Sequence, residues 1–207
     1  MNGHLKYLLF AGIAVAIAFV FFYTFNNTAS DESYERMLRK NREQKNKDFK
    51  YGATSPLTDE QKQQFRTLNY FEPDETYKVQ AILTPLKNDS IFKYLTTTNE
   101  IRRFYKYAYL NFSLQDKPQQ LVLLKSAEAN TPNYFFLAFK DLTNGTESYE
   151  GGRYIDVEQP KSTTLELDFN KAYNPYCAYN DLFSCPIPPS ENQLTVRVLA
   201  GERNYKK

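Results

Sequence analysis

Residues 103–112 read Arg-Phe-Tyr-Lys-Tyr-Ala-Tyr-Leu-Asn-Phe. Phe104, Ala108, Leu110 and Phe112 fall on even positions, and Tyr105, Tyr107 and Tyr109 on odd ones. Side chains of a β-strand alternate between faces with a period of two, so this stretch predicts a strand with Phe104, Ala108, Leu110 and Phe112 on one face and the three tyrosines on the other. The same period continues outward. Tyr77, Val79, Ala81 and Leu83 alternate with polar residues. Residues 121–124 and 134–139 are short apolar runs suited to strands buried on both sides, and 153–158, 164–169 and 194–200 alternate again. Short strands separated by turn residues predict a mainly β domain, an antiparallel sandwich or barrel-like structure. Asn144-Gly145 adds a hairpin-turn signal.

Composition agrees. The chain has 207 residues, with 17 Tyr, 16 Phe and no Trp. Tyr and Phe favour strands. About 150 residues follow the N-terminal segments, enough for one domain with a core of its own. The formal net charge of +2 shows no surplus of Lys and Arg for a nucleic-acid groove. The only histidine is His4, near the N-terminus. The domain therefore has no Ser-His-Asp triad, no Cys-His dyad and no histidine metal cluster, and two cysteines alone complete no ordinary zinc site. No cofactor or metal is implied.

Ahead of the domain, residues 8–25 read LLFAGIAVAIAFVFFYTF without a charge. As a helix they would span about 27 Å, close to the hydrocarbon thickness of a bilayer. Tyr7 and Tyr23 lie near the ends, as interfacial aromatics do. A cleavable signal has a shorter apolar core, and Asn27-Thr28-Ala29 is a poor cleavage site. The expectation is a short flank at 1–7, a single-pass transmembrane anchor at 8–25, a polar helical spacer at 26–50 and one β-rich domain at 51–207. Arg36, Arg39, Lys40, Arg42 and Lys45 after the anchor argue for a cytoplasmic domain. An N-terminal signal-like segment argues for export, and the extracytoplasmic side is favoured. Thr58-Asp59-Glu60-Gln61 fits a capping box, so one short helix is expected from about Asp59 to Thr67 before the first strand.

Polar residues crowd between Asp141 and Glu202. Residues 153–158 and 164–170, read as a hairpin, would put Tyr154, Asp156 and Glu158 beside Glu166, Asp168 and Asn170 on one face. Like charges there repel, which a cation or a shared proton would relieve, and which water on an exposed face would simply screen. Asp168 and Glu191 are the candidate acid/base pair, with Glu202 as a further carboxylate. Arg153 is a candidate anion or charge stabiliser. Tyr154, Asn170, Tyr173, Asn174 and Asn192 are candidate ligands for a polar small molecule such as a carbohydrate, or equally the hydrogen-bonding members of an ordered loop. Cys177 and Cys185 enclose seven residues. A disulfide there would add roughly 2.5 kcal/mol, and two buried thiols or one reactive thiol are the other readings.

Several of these motifs together resemble the family called domain of unknown function 1684. They are residues 141–149 with Gly151-Gly152-Arg153-Tyr154, then Leu167-Asp168-Phe169-Asn170, Ala172-Tyr173-Asn174-Pro175 and Cys177-Ala178-Tyr179. Cys185-Pro186-Ile187-Pro188-Pro189, Glu191-Asn192 and Ala200-Gly201-Glu202 follow. Ser55-Pro56-Leu57-Thr58 and Leu68-Asn69-Tyr70-Phe71 look like an N-terminal signature, so the resemblance covers roughly 45–204. It implies a bacterial or archaeal protein, in the anchored short form of Bacteroidetes-type bacteria, and it implies no activity. It also implies that both cysteines occur in similar proteins lacking an export segment, so a disulfide is not obligatory. Three functions remain open: a binding or scaffolding module at the cell envelope, a hydrolase or lyase working through carboxylates, and a purely structural domain.

Overall fold

The computed structural model describes residues 3–87, 90–128, 131 and 134–205. It divides into two units, Met1–Asn41 and Arg42–Lys207. A single helix, α1 (Gly3–Tyr51), runs through the first and into the second. Within the first unit Glu35 and Arg39 form an exposed i,i+4 pair at 3.5 Å. Among the described residues, no helix is long and apolar enough to cross a membrane. Most side chains of 8–25 lie outside the described residues, and the anchor expectation lies outside them too.

The last turns of α1 belong to the second unit. Phe49 packs in a cluster with Leu57, Phe65, Leu68, Ala178 and Tyr179. Asn46 Oδ1 accepts the Leu68 N–H at 2.8 Å, and Arg42 donates to the Phe71 carbonyl at 3.0 Å. The β-rich unit thus begins inside the stretch expected to be a spacer. Helix α2 (Asp59–Gln64) carries the expected capping box, with the Thr58 hydroxyl accepting the Gln61 N–H and the Gln61 side chain accepting the Thr58 N–H. It stops three residues earlier than expected.

Among the described residues the strands form one antiparallel sheet of seven, curled into a half-barrel. The strands are β1 (Lys78–Pro85), β2 (Ile91–Leu95), β3 (Ile101–Leu114), β4 (Lys117–Ser126), β5 (Phe135–Phe139), β6 (Arg153–Val157) and β7 (Thr164–Asp168). Their order is β6-β5-β4-β3-β1-β7, with β2 pairing the start of β3. The fold is mainly β as expected, but one curled sheet stands where a sandwich would have two.

The expected hairpin of 153–158 and 164–170 does not form. β6 pairs β5 and β7 pairs β1, so they lie at opposite edges. Five inter-strand spacings of about 4.8 Å would hold the edges of a flat sheet about 24 Å apart. That is also about the full reach of the short 158–163 connection. Curling brings the edges nearer and gives this connection slack. Asp156 and Glu158 therefore do not face Glu166 and Asp168 across a ladder, and the acidic hairpin face disappears.

The register of β3 also differs from simple alternation. A bulge between Lys106 and Ala108 leaves Tyr107 outside the ladder. The extra residue turns Phe104 onto the opposite face from Ala108, Leu110 and Phe112. The main core contains those three with Leu121, Leu123, Phe135, Leu137, Phe139 and Ile155. Phe104 joins Val122, Leu124, Phe136, Ala138 and Tyr154 in the second core. β4 and β5 are thus buried on both faces, as their continuous apolar runs predicted.

Residues 194–200 fill the main core but are not a strand. Leu194, Val196, Val198 and Ala200 are buried while the residues between them are exposed. Their backbone is held mostly by other groups than a ladder partner. Leu194 N–H donates to the Lys140 carbonyl at 2.8 Å, Thr195 N–H to Gln119 Oε1 at 3.1 Å and Val198 N–H to Asp141 Oδ1 at 3.2 Å. The alternating pattern read the burial correctly and the hydrogen bonding wrongly. Asn144-Gly145 likewise turns the chain inside the long 140–152 connection between β5 and β6, with Gly145 at φ 80°, and is not a two-residue hairpin.

Candidate functional site

Most residues singled out from the sequence hold the backbone. Arg153, at 0% exposure, donates from Nη2 to Asp141 Oδ2 at 2.7 Å and to the Val198 carbonyl at 2.8 Å. Its Nη1 donates to the carbonyls of Ala200 and, at 3.2 Å, Glu202. Burial pulls its pKa down, and Asp141 opposes that. The guanidinium is a clasp on the C-terminal segment and does not open onto an anion site. Glu202, 1% exposed, accepts Lys45 Nζ at 2.5 Å, the Tyr179 hydroxyl at 2.5 Å, the Asn174 N–H at 2.8 Å and the Tyr70 hydroxyl at 3.4 Å. Burial, and then the Glu202 charge, raise the pKa of Tyr70 and Tyr179. Between these two clusters Gly201 sits at φ 77°, and a Cβ there would meet the Ala172 carbonyl oxygen at 2.5 Å.

The asparagines serve the same end. Asn192 Oδ1 accepts the Val122 N–H at 2.7 Å, and its Nδ2 donates to the carbonyls of Val122 and Ala138 at 3.0 and 2.8 Å. Asn170 accepts the Asp74 N–H at 2.9 Å and donates to the Asp74 carbonyl at 2.8 Å. Asn174 donates to the Arg203 carbonyl at 2.8 Å. Buried amides used in this way substitute for missing ladder partners.

Asp168 and Glu191 have different neighbours. Asp168 caps the 3-10 turn Phe169–Lys171, accepting the Asn170 N–H at 3.0 Å, with Lys171 Nζ at 3.6 Å. Glu191 pairs with Lys106 of β3 at 2.7 Å. Neither lines the clefts described next. We expect Asp168→Ala to cost about 1–2 kcal/mol, the range for a lost N-cap, measured as a shift in the urea midpoint of the full chain. An undisturbed midpoint would remove the capping role.

Two clefts lie on the second face of the sheet, meeting at Tyr154 and Pro186. The larger, about 360 Å³, is lined by Lys140, Tyr149, Glu150, Tyr154, Cys177 and Cys185 among others. The smaller, about 250 Å³, is lined by Arg102, Phe104, Glu128, Tyr134, Phe136 and Tyr154 among others. Tyr154 holds its position by donating to the Pro186 carbonyl at 2.5 Å and packing edge-on to Phe136, with ring centroids 4.6 Å apart. Tyr173 stands behind it, ring centroids 5.9 Å apart, and donates to Asp156 at 2.8 Å. Of the residues expected to bind a ligand, Tyr154 is the one that lines these clefts.

In the larger cleft both cysteines are free thiols. The Cys177 N–H donates to Cys185 Sγ at 3.1 Å, and the Tyr149 hydroxyl donates to Cys177 Sγ at 3.8 Å. The hydrogen bond from Cys185, then burial working the other way, then Tyr149 and Thr97, bring the Cys177 pKa down to about 7. The same hydrogen bond and burial push Cys185 up. Burial raises Tyr149, with the Cys177 charge adding to it. In the smaller cleft Tyr134 stacks on Phe136 at 5.9 Å, and burial, then Asp156, raise its pKa to about 12.

Sequence reading missed Lys140, Tyr149, Arg102 and Tyr134 as cleft residues. The signal for Tyr149 was present in the Tyr149-Glu150-Gly151-Gly152 turn. Gly152 has φ 96°, and a Cβ there would sit 2.7 Å from the Phe139 carbonyl oxygen, so this turn is fixed hard against β5. Arg102 and Tyr134 lie 32 positions apart, and only the β3-β4-β5 ladder brings them to one cleft.

Comparison with other proteins gives a consistent placement. No curated protein matches the chain. The solution NMR structure of an uncharacterized protein of Haloarcula marismortui is similar, with 36% sequence identity and a TM-score of 0.64. The match covers 84% of this chain and 96% of that one. A family model described as protein of unknown function (DUF1684) matches residues 63–203. That span holds the whole curled sheet, the Arg153 cluster and Glu202 with its partners other than Lys45, and the chain belongs to the DUF1684 family.

Proposed function

We propose that this protein is a binding module of the cell envelope, anchored by residues 8–25, with its β-rich domain outside the cytoplasm and taking a polar ligand of the carbohydrate class. The uncharged 18-residue run supports the anchor. The same reading makes the chain an anchored short form of the Bacteroidetes type. The observation that carries the binding reading is the division of labour among side chains. The buried polar groups hold backbone, whereas the open cleft offers aromatic walls with a charged rim. Phe104, Tyr134, Phe136 and Tyr154 supply ring surface, and Arg102, Ser126, Glu128 and Thr131 supply hydrogen-bonding groups. Apolar walls with a few placed polar groups are how small-molecule sites gain affinity and orientation. A carbohydrate has both an apolar C–H face and a ring of hydroxyls. The separate surroundings of Asp168 and Glu191 favour binding over a hydrolase or lyase.

The chain has no Trp and 17 Tyr, so tyrosine carries its emission, and the part of a ligand-induced change lost in Tyr134→Ala is the part that comes from the cleft. Titrating the full chain with a panel of neutral oligosaccharides should give saturable changes. Tyr134→Ala should weaken binding about tenfold, the loss of one aromatic contact of about 1.4 kcal/mol. Binding undiminished in that variant, or none across the panel, would refute the assignment. Protease added to intact spheroplasts should cut the domain, and complete protection would place it in the cytoplasm.

A further inference from the structure

We propose that Cys177 and Cys185 form a thiol–disulfide exchange site in the larger cleft, with Cys177 as the attacking thiol, Cys185 as the resolving thiol and small disulfides as the substrate class. The inference goes beyond ligand binding and stands without it. Its basis is geometry. Two free thiols line one cleft of about 360 Å³, large enough for a small disulfide to approach. Cys185 Sγ lies 3.1 Å from the Cys177 backbone nitrogen, which sets the Cys185 sulfur beside the backbone of its partner residue. Cys185 is fixed from the other side, because Thr97 N–H donates to its carbonyl at 2.9 Å and its own N–H donates to Thr97 Oγ1 at 3.2 Å. The thiols differ in surroundings. Cys177 Sγ accepts from the Tyr149 hydroxyl at 3.8 Å, while Cys185 Sγ accepts from the Cys177 backbone N–H. The groups facing Cys177 are Tyr149, Thr97 and Cys185, with Lys140 and Glu150 on the same cleft wall.

The exchange balances without another reactant. The Cys177 thiolate attacks one sulfur of a disulfide RSSR, a mixed disulfide forms, and the S–S bond of RSSR breaks to release RS⁻. Cys185 gives up its proton to that RS⁻. Its thiolate then attacks the Cys177 sulfur and expels the second RS⁻, which takes the remaining proton from solvent. The protein dithiol loses two electrons to RSSR, which leaves as two RSH. The lowered Cys177 pKa gives it a larger thiolate share near neutral pH than an ordinary thiol has. The attacking role falls to the thiol that is ionised when the disulfide arrives.

The test uses the full chain with bis(2-hydroxyethyl) disulfide, followed by intact mass and released thiol between pH 5 and 9. Wild type should release two equivalents of thiol and lose two hydrogens. Cys185→Ser should release one and retain the adduct, and Cys177→Ser should react at least about tenfold more slowly. The wild-type rate should rise with a midpoint near pH 7. Equal rates for wild type and Cys177→Ser would overturn the assignment. So would a native protein that reacts only after unfolding in urea, a measurement that needs no variant. Thiols lost without an internal bond forming would equally exclude a resolving role for Cys185.

Discussion

Asp141→Asn should destabilise the domain by about 3–5 kcal/mol, the range for leaving a buried charge without its partner. Urea unfolding followed by tyrosine emission would measure it. Asparagine keeps the size and can still accept from Thr143 at the positions that Asp141 uses, 2.8 Å to the N–H and 2.6 Å to the hydroxyl. What it removes is the charge opposite Arg153 in a site with no exposure. Many buried ion pairs can be replaced by apolar residues at little cost. Here the double variant Arg153→Met/Asp141→Leu should not recover. Arg153 also donates to the carbonyls of Val198, Ala200 and Glu202, and each would be left buried at about 1–3 kcal/mol. A single variant within about 1 kcal/mol of wild type, or a double variant that regains full stability, would show that the clasp is not the main tie on the C-terminal segment.

The second large effect concerns where the domain begins. A fragment spanning 51–207 should be at least about 3–5 kcal/mol less stable than one spanning 42–207, the usual cost of deleting a buried Phe. Phe49 packs on Phe65, Tyr176 and Tyr179, with ring centroids 6.2, 6.3 and 4.9 Å away. The shorter fragment also removes Lys45, whose ammonium meets buried Glu202. The total stability of a small domain is about 5–15 kcal/mol, so the shorter fragment should sit close to its unfolding transition. Urea midpoints of the two fragments compare them, and Phe49→Ala in the longer one isolates the ring. Coincident midpoints would mean that the helix end adds nothing to the core.

These two expectations also mark what the sequence could and could not disclose. Periodicity located the buried strands, because side-chain alternation is a local property of the chain. It failed where one residue changed the count: the bulge at Tyr107 moved Phe104 to the other face. It paired β6 with β7 because they are neighbours in sequence, but the strand order places them at opposite edges. The candidate site suffered most. Asn170, Asn174, Asn192, Arg153 and Glu202 are the residue types that line active sites, and they are equally the types that satisfy irregular buried backbone. Sequence alone does not distinguish the two uses, because the difference lies in which carbonyls and N–H groups are left over after the sheet is formed. The cysteine cleft was half legible. The close pair stood out, while the Tyr149 and Thr97 that set its character come from distant segments.

The ion pair between Lys45 and Glu202 joins residues 157 positions apart. Phe71 and Gly201 are bonded backbone to backbone nearby, and Tyr70 reaches the same carboxylate. These contacts close nearly the entire unit into one loop. Such a closure costs chain entropy before any contact rewards it. Most of the sheet pairs strands close in sequence, as β3 with β4, so the contacts that must close the longest loops are those between the two ends and between β1 and β7.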